Sequence, residues 1–84
     1  MSEGISGAQM RAGRALLRWS ALDLAKASKV GVATIRRVEV IDGEISATKA
    51  NQAALRQALE VGGVEFIDEN GGGPGVRLRK PVGK

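Results

Sequence analysis

The chain has 84 residues and a formal charge of +4, and it contains neither cysteine nor histidine. This length allows one domain with one modest core, and the missing residue types exclude disulfides, cysteine metal sites and a histidine general base or ligand. The positive charge favours an anionic partner such as nucleic acid. Neither a signal peptide nor a membrane span is predicted, so we expect a cytoplasmic protein without membrane contact.

The first part of the chain predicts two helices. Ser6, with Gln9 as the partner in a capping box, predicts a helix over 7–18. Ser20 is a second cap, and the helix after it is predicted over 21–28. Together these two helices would form the base of a small bundle.

Two more helices are predicted after a tight turn at 29–31. The third would run over 32–40, with apolar residues on one side and basic residues on the other. Ser46 is predicted to cap a fourth helix over 47–61, which the two glycines at 62–63 would end.

After residue 63 the pattern changes from helical to alternating. The segments 64–68 and 76–79 read as strands, and the glycine-rich stretch 70–75 between them predicts a β-hairpin. A lone two-stranded hairpin is marginal in water, so it must dock on the helices or pair with a second chain. The hairpin residues that we expect at a dimer interface are Val64, Phe66, Val76 and Leu78.

These elements predict a mostly α fold divided into four segments. Residues 1–5 are predicted to be a flexible N-terminus and residues 6–61 the helical bundle. Residues 62–80 are predicted to be the hairpin and the site of dimerisation, and residues 81–84 a disordered tail.

The middle of the chain has small, apolar and charged residues in a specific order, namely Leu24-Ala25, Val30, Thr34-Ile35, Arg37, Val38 and Glu39. With them, positions 10–43 resemble the Xre/Cro-type helix-turn-helix family of bacterial and phage transcription regulators. The resemblance implies a lambda-repressor-like bundle. It also implies a homodimer that binds double-stranded DNA and inserts its third helix into the major groove of a two-fold-related operator.

The family's geometry implies which side chains face the bases. Val32, Ala33, Arg36 and Arg37 would lie on the outer side of the third helix. Arginine can donate two hydrogen bonds to guanine, whereas the two apolar residues can contact only thymine methyl groups. The alternative for both arginines is an ordinary solvated helix face.

The resemblance also implies phosphate contacts and one structural ion pair. Arg14 and Glu39 match positions that are paired in the family, where the pair fixes the angle of the third helix; the alternative is that each is separately solvated. The residues suited to phosphates by their charge, hydroxyl or backbone amide are Lys26, Lys29, Gly31, Thr34 and Lys49.

Three positions depart from the family's pattern. Lys29 stands where the family usually has glycine, so it must take a left-handed conformation unless the turn is built differently. Ala21 replaces a glutamine that helps to contact DNA, and Gly31 replaces a polar residue. This poorer set of polar groups leaves an alternative function open. The fold could bind a protein instead, as an antiactivator or antitoxin that regulates a transcription factor by direct contact.

An enzyme is not expected. Ser28 and Thr34 have no general base beside them, and Asp68 and Glu69 would point to opposite faces of a strand. The glycines at 71–75 precede a strand and not a helix, so they do not match a phosphate-binding loop. We therefore predict no cofactor and no metal, and the sequence indicates no small-molecule effector.

Overall fold

The computed structural model of the protein describes residues 4–79. Four helices are followed by a two-stranded antiparallel sheet, which confirms the predicted mostly helical bundle with a C-terminal hairpin. The elements are α1 (Gly7–Leu17), α2 (Ala21–Ser28), α3 (Val32–Glu39), α4 (Lys49–Gly62), β1 (Val64–Ile67) and β2 (Gly75–Leu78). None of the helices within residues 4–79 combines the length and apolar character that crossing a membrane requires. The predicted tail at 81–84, and positions 1–3 of the predicted flexible N-terminus, lie outside the described residues.

Hydroxyl caps fix where the helices begin. The capping box predicted at Ser6 and the cap predicted at Ser20 are both confirmed, because each hydroxyl accepts a hydrogen bond from the third amide of its helix. At Ser20 the carboxylate of Asp23 completes a capping box that the sequence did not predict. The predicted cap at Ser46 is wrong. Thr48 is the residue whose hydroxyl accepts from the amide of Asn51, at 3.1 Å, so α4 begins two residues later than predicted.

The hydrophobic core lies between the helices and the inner face of the hairpin. Its fully buried side chains include Met10 of α1, Leu24 of α2 and Leu59 of α4. Ile5 also belongs to this core, with 2% of its surface exposed, and its carbonyl accepts from the amide of Ile45. The predicted flexible N-terminus therefore extends too far, because an apolar side chain at position 5 is buried by the bundle.

The hairpin docks on the helices of its own chain. Val64 is fully buried and Phe66 is 9% exposed, so the inner face of β1 completes the core. Val76 is half-buried against the same core, and 51% of Leu78 is exposed. The bundle itself covers both side chains. The prediction that Val64 and Phe66 form a dimer interface is therefore wrong.

Gln9 ties the hairpin to the first helix. Its side chain closes the capping box of α1, and its Nε2 also donates to the carbonyl of Gly75 at 3.0 Å and to that of Ile67 at 3.5 Å. These carbonyls belong to paired residues of the two strands. A single buried amide thus joins a helix start to both strands, a role that the sequence did not predict.

Candidate nucleic-acid interface

A tight turn joins α2 to α3. Lys29 adopts a left-handed conformation with φ of 66°, and its amide donates to the carbonyl of Ala25 at 2.8 Å. This confirms that the lysine itself takes the conformation for which the family commonly uses glycine. Val30 follows with 6% exposure, and its amide donates to the hydroxyl of Ser28. The buried valine anchors the turn, so α3 starts in a fixed position beside α2.

The third helix has one buried side and one open side. Ile35 and Val38 are fully buried in the core. Ala33, Arg36 and Arg37 are exposed on the other side, whereas Val32, which was predicted to lie there too, is half-buried. Within residues 4–79, neither guanidinium has a hydrogen-bond or ion-pair partner, so both are free to bind an external acceptor.

A buried ion pair fixes the end of α3 to α1. Arg14 donates from Nε and Nη2 to the two carboxylate oxygens of Glu39, each at 2.7 Å, and from Nη1 to the carbonyl of Trp19 at 2.9 Å. Glu39 is 6% exposed. The pKa of Arg14 is raised, because the hydrogen bonds and charge of Glu39 outweigh desolvation of the guanidinium. The two parallel hydrogen bonds restrict the orientation of α3 relative to α1.

Arg11 adds a second connection between the same two helices. Its Nη1 donates to the carbonyl of Glu39 at the end of α3, and its Nη2 lies 2.6 Å from a carboxylate oxygen of Asp42. One turn of α1 therefore carries two arginines that hold the same end of α3. The sequence did not single out Arg11, because nothing local indicates which carbonyl it would reach.

The start of α1 also contacts the segment that follows α3. The amide of Gly7 donates to the carbonyl of Gly43 at 3.0 Å. A Cβ atom at position 7 would lie 1.8 Å from the carbonyl oxygen of Ile41 and 2.8 Å from that of Val38. Only glycine allows this approach of two backbones. Gly7, Arg11, Arg14 and Glu39 are called the α1–α3 clamp below.

The start of α3 is open to solvent. Ser6, Ser20 and Thr48 cap the other three helices, whereas Gly31 at the start of α3 provides no side-chain cap. A Cβ atom at Gly31 would meet nothing within 4 Å. The first amides of α3 therefore point outwards at the positive end of the helix dipole.

A polar groove of about 460 Å³ lies between α3 and the start of α4. Its lining residues are Thr34, Arg37, Ser46, Ala47, Thr48 and Asn51. The groove combines hydroxyl groups, a guanidinium and the positive end of a helix, all of which interact favourably with an anion. Lys49, which was predicted from the sequence as a phosphate contact, follows this lining as the first residue of α4.

Charge is divided between two parts of the molecule. Within the described part of the chain, the basic side chains without a hydrogen-bond or ion-pair partner all fall between positions 18 and 49, namely Arg18, Lys26, Lys29, Arg36, Arg37 and Lys49. A different cavity, of about 340 Å³, lies where the α3–α4 connection meets the hairpin loop, and it is lined by Asp42, Glu44, Asp68 and Glu69 among others. An approaching polyanion would be attracted to the helix-turn-helix and repelled from the hairpin loop.

The comparisons with known proteins give no family. No protein-family model matches the chain, and no curated protein is significantly similar to it. What the protein does must therefore be inferred from the arrangement and charge of its own residues.

Proposed function

We propose that the protein is a sequence-specific DNA-binding transcription regulator of the Xre/Cro type, which inserts α3 into the major groove. One observation carries the proposal. The eight-residue helix is anchored by a buried side and a buried ion pair, while Arg36 and Arg37 on its open side have no partner within residues 4–79. A regulator of this kind acts where bacterial DNA lies, in the cytoplasm.

The dimensions of α3 suit the groove. An α-helix with its side chains is about 10–12 Å in diameter, which fits a major groove about 12 Å wide. The eight residues of α3 make a helix about 12 Å long. Arg36 and Arg37 are the groups with which α3 would bind guanine edges. Val32 and Ala33 lie at its start, where the family's geometry brings the helix closest to the bases.

The groups around α3 suit the DNA backbone. Lys26 in the last turn of α2 and Lys29 in the turn before α3 are exposed, and Lys49 is exposed at the start of α4. The open amides after Gly31 and the hydroxyl of Thr34 in the polar groove provide neutral donors. In this assignment the phosphate contacts surround the helix that reads the bases, and they fix its depth and register.

One copy of α3 covers too few base pairs for useful specificity, so we propose a homodimer on two half-sites about one helical turn apart. Cutting the chain at Gly62 would not test this, because it removes the core residues Val64 and Phe66. Sedimentation of the full chain with a duplex provides the test. Two protomers per duplex are expected, and one protomer per specific duplex would contradict the dimer.

The experiment for DNA binding is selection of duplexes from a random pool by the full chain, followed by a salt titration of the selected duplex. Three lysine contacts in each of two protomers predict a slope of log affinity against log salt of about −5. Arg37→Ala should weaken binding by about 1–3 kcal/mol and relax the preference at one base pair. A uniform loss on all sequences would assign Arg37 to a phosphate.

Arg77→Gln is the matched control for Arg36→Gln and Arg37→Gln on the open side of α3. It removes the same charge from an exposed arginine on β2, whose partner is Glu65 on the adjacent strand. The control should keep the selected sequence and most of the affinity. If no duplex is retained at low salt, or if the control loses as much affinity as Arg36→Gln and Arg37→Gln, the proposed function is wrong.

A second candidate function is direct binding of another protein, such as a transcription factor, without DNA. The observation that favours it is a groove of about 460 Å³ between α2 and α4, lined by Trp19, Ala27, Ala54, Ala58 and Val61 among others. Val61 is 79% exposed there. If this function holds, Val61→Glu should abolish regulation in a reporter assay, while Arg36→Gln and Arg37→Gln should leave it intact.

A further inference from the structure

The outer side of α3 has an unusual set of chemical groups for reading bases. The exposed Arg36 and Arg37 provide donors only, and the exposed Ala33 and the half-buried Val32 provide neither donor nor acceptor. The hydroxyl of Thr34 lies on the polar groove towards α4. The helix has no amide side chain, and its one carboxylate, Glu39, is buried against Arg14.

This set restricts which bases α3 can identify. Adenine is read by an amide that both donates and accepts, and cytosine is read by a carboxylate that accepts from its amino group. Neither group is on the open side of α3. The features left for direct recognition are the two acceptors of guanine and the C5-methyl group that thymine presents in the major groove.

We infer that α3 recognises the C5-methyl group of a pyrimidine through Val32 and Ala33, next to a guanine bound by Arg36 or Arg37. The inference rests on the proposed function, since it requires α3 in the major groove. An apolar side chain contacts the methyl group and not the hydrogen-bonding edge. The site should therefore accept 5-methylcytosine in place of thymine while it discriminates against unmodified cytosine and uracil.

The helix geometry places the two kinds of contact side by side. Val32 and Arg36, like Ala33 and Arg37, are four residues apart and lie on the same face of the helix. Their separation along the axis is about 6 Å, close to two base steps of about 3.4 Å. The methyl-bearing pyrimidine and the guanine should therefore be near neighbours in each half-site.

The experiment uses the full chain and the duplex obtained by selection. Each thymine of a half-site is replaced in turn by uracil, by cytosine and by 5-methylcytosine, the cytosines being paired with guanine. At one or two positions uracil should bind about fourfold more weakly, the effect of one buried methyl group. At the same positions 5-methylcytosine should bind about fourfold more tightly than cytosine. Uracil at positions outside the half-sites is the control for changes in DNA shape.

Two nearly isosteric variants connect the effect to the protein. Val32→Thr and Ala33→Ser each place a hydroxyl group on this face with little change in volume. The wild type should bind the thymine duplex about fourfold more tightly than the uracil duplex, and at least one of the variants should reduce this difference in affinity to below about twofold. Circular dichroism and thermal unfolding check that each variant is folded.

The outcomes separate the two proposals. Specific, salt-dependent binding in which uracil replaces thymine everywhere without loss overturns the methyl inference and leaves DNA recognition by α3 intact. A uracil penalty that both variants retain also overturns it, because the methyl group then contacts another part of the protein. If no duplex is selected at all, the proposed function fails, and the inference fails with it.

Discussion

The α1–α3 clamp and the open side of α3 differ in how their polar groups are used. In the α1–α3 clamp, each guanidinium and the buried carboxylate has a partner within the chain. On the open side of α3, one turn away, Arg36 and Arg37 have none within residues 4–79. The clamp fixes α3 to α1, whereas the two guanidiniums on the open side make no such contact within residues 4–79.

The difference separates two kinds of variant. Changes in the clamp should lower the free energy of unfolding and disturb binding only through the position of α3. Changes on the open side should affect binding and leave stability within about 0.5 kcal/mol, as is usual for exposed positions. Equal effects of both kinds of variant on stability would show that the two regions are not independent in this way.

The largest effect is expected for Arg14→Met. The change leaves the buried carboxylate of Glu39 without its partner, and breaking a buried pair in this way costs about 3–5 kcal/mol. The double variant Arg14→Met with Glu39→Met should be more stable than the single variant, because no buried charge remains. Urea unfolding measures both.

Arg11→Met is the matched control for the ion pair. Arg11 is 42% exposed and its partner Asp42 is 85% exposed, so the loss should be no more than about 1 kcal/mol. Equal losses for Arg11→Met and Arg14→Met would show that burial does not distinguish the two arginines, and the account of the clamp would be wrong.

Gly7→Ala should follow with a loss of about 3 kcal/mol, at the upper end for overpacking. The added methyl group would meet backbone carbonyl oxygens, which cannot move aside as a flexible side chain can. Gly43→Ala is the same chemical change in open space, where a Cβ meets nothing within 4 Å. Measured by thermal unfolding, the stability of the Gly43 variant should lie within about 0.5 kcal/mol of that of the wild type. Similar losses of stability for both variants would contradict the close approach of α1 to Ile41.

Lys29→Gly should stabilise the protein by about 0.5–1 kcal/mol, because it relieves a left-handed conformation at a residue with a Cβ atom. Arg18→Gly, at the other non-glycine left-handed position within residues 4–79, should give a similar gain in stability.

The role of Lys29 in DNA binding is tested with Lys29→Asn, because asparagine tolerates the same backbone conformation and removes the charge. It should reduce the salt slope by about 0.9 for each protomer if the lysine binds a phosphate. An unchanged slope would remove Lys29 from the interface.

The sequence predicted what depends on local pattern and missed what depends on tertiary contact. The capping box at Ser6, the cap at Ser20 and the left-handed Lys29 are set by neighbours in the chain, so the sequence alone predicted them. Thr48 was missed because Ser46 and Thr48 are both hydroxyl residues that could cap the helix, and the local pattern does not choose between them.

The predicted dimer face at Val64 and Phe66 was wrong for the same reason, because it depends on tertiary contacts. Alternation in the strands correctly placed Val64 and Phe66 on one side of the hairpin, but it cannot say whether the helices or a second chain cover that side. Gly7 and Gln9 were missed in their tertiary roles for a similar reason. Their partners lie more than 30 positions away in the sequence.

The smallest effect concerns acid stability at the start of α2. The backbone amide of Ser20 donates to the carboxylate of Asp23 at 2.8 Å, and this bond, aided by the Ser20 hydroxyl, lowers the pKa of Asp23. A carboxyl group with a lowered pKa stabilises the fold at pH values above its unfolded value of 3.8, and that contribution disappears as the pH falls through the lower folded value. Thermal midpoints measured between neutral pH and pH values below 3.8 should therefore fall less for Asp23→Asn than for the wild type. Glu65→Gln should act in the same direction, because Arg77 lowers the pKa of Glu65 through a hydrogen bond and its charge. Both carboxylates lie outside the α1–α3 clamp and the open side of α3. Neither variant should therefore change DNA binding at neutral pH.

A steeper loss of stability in acid for Asp23→Asn than for the wild type would mean that the carboxylate does not cap α2 in solution.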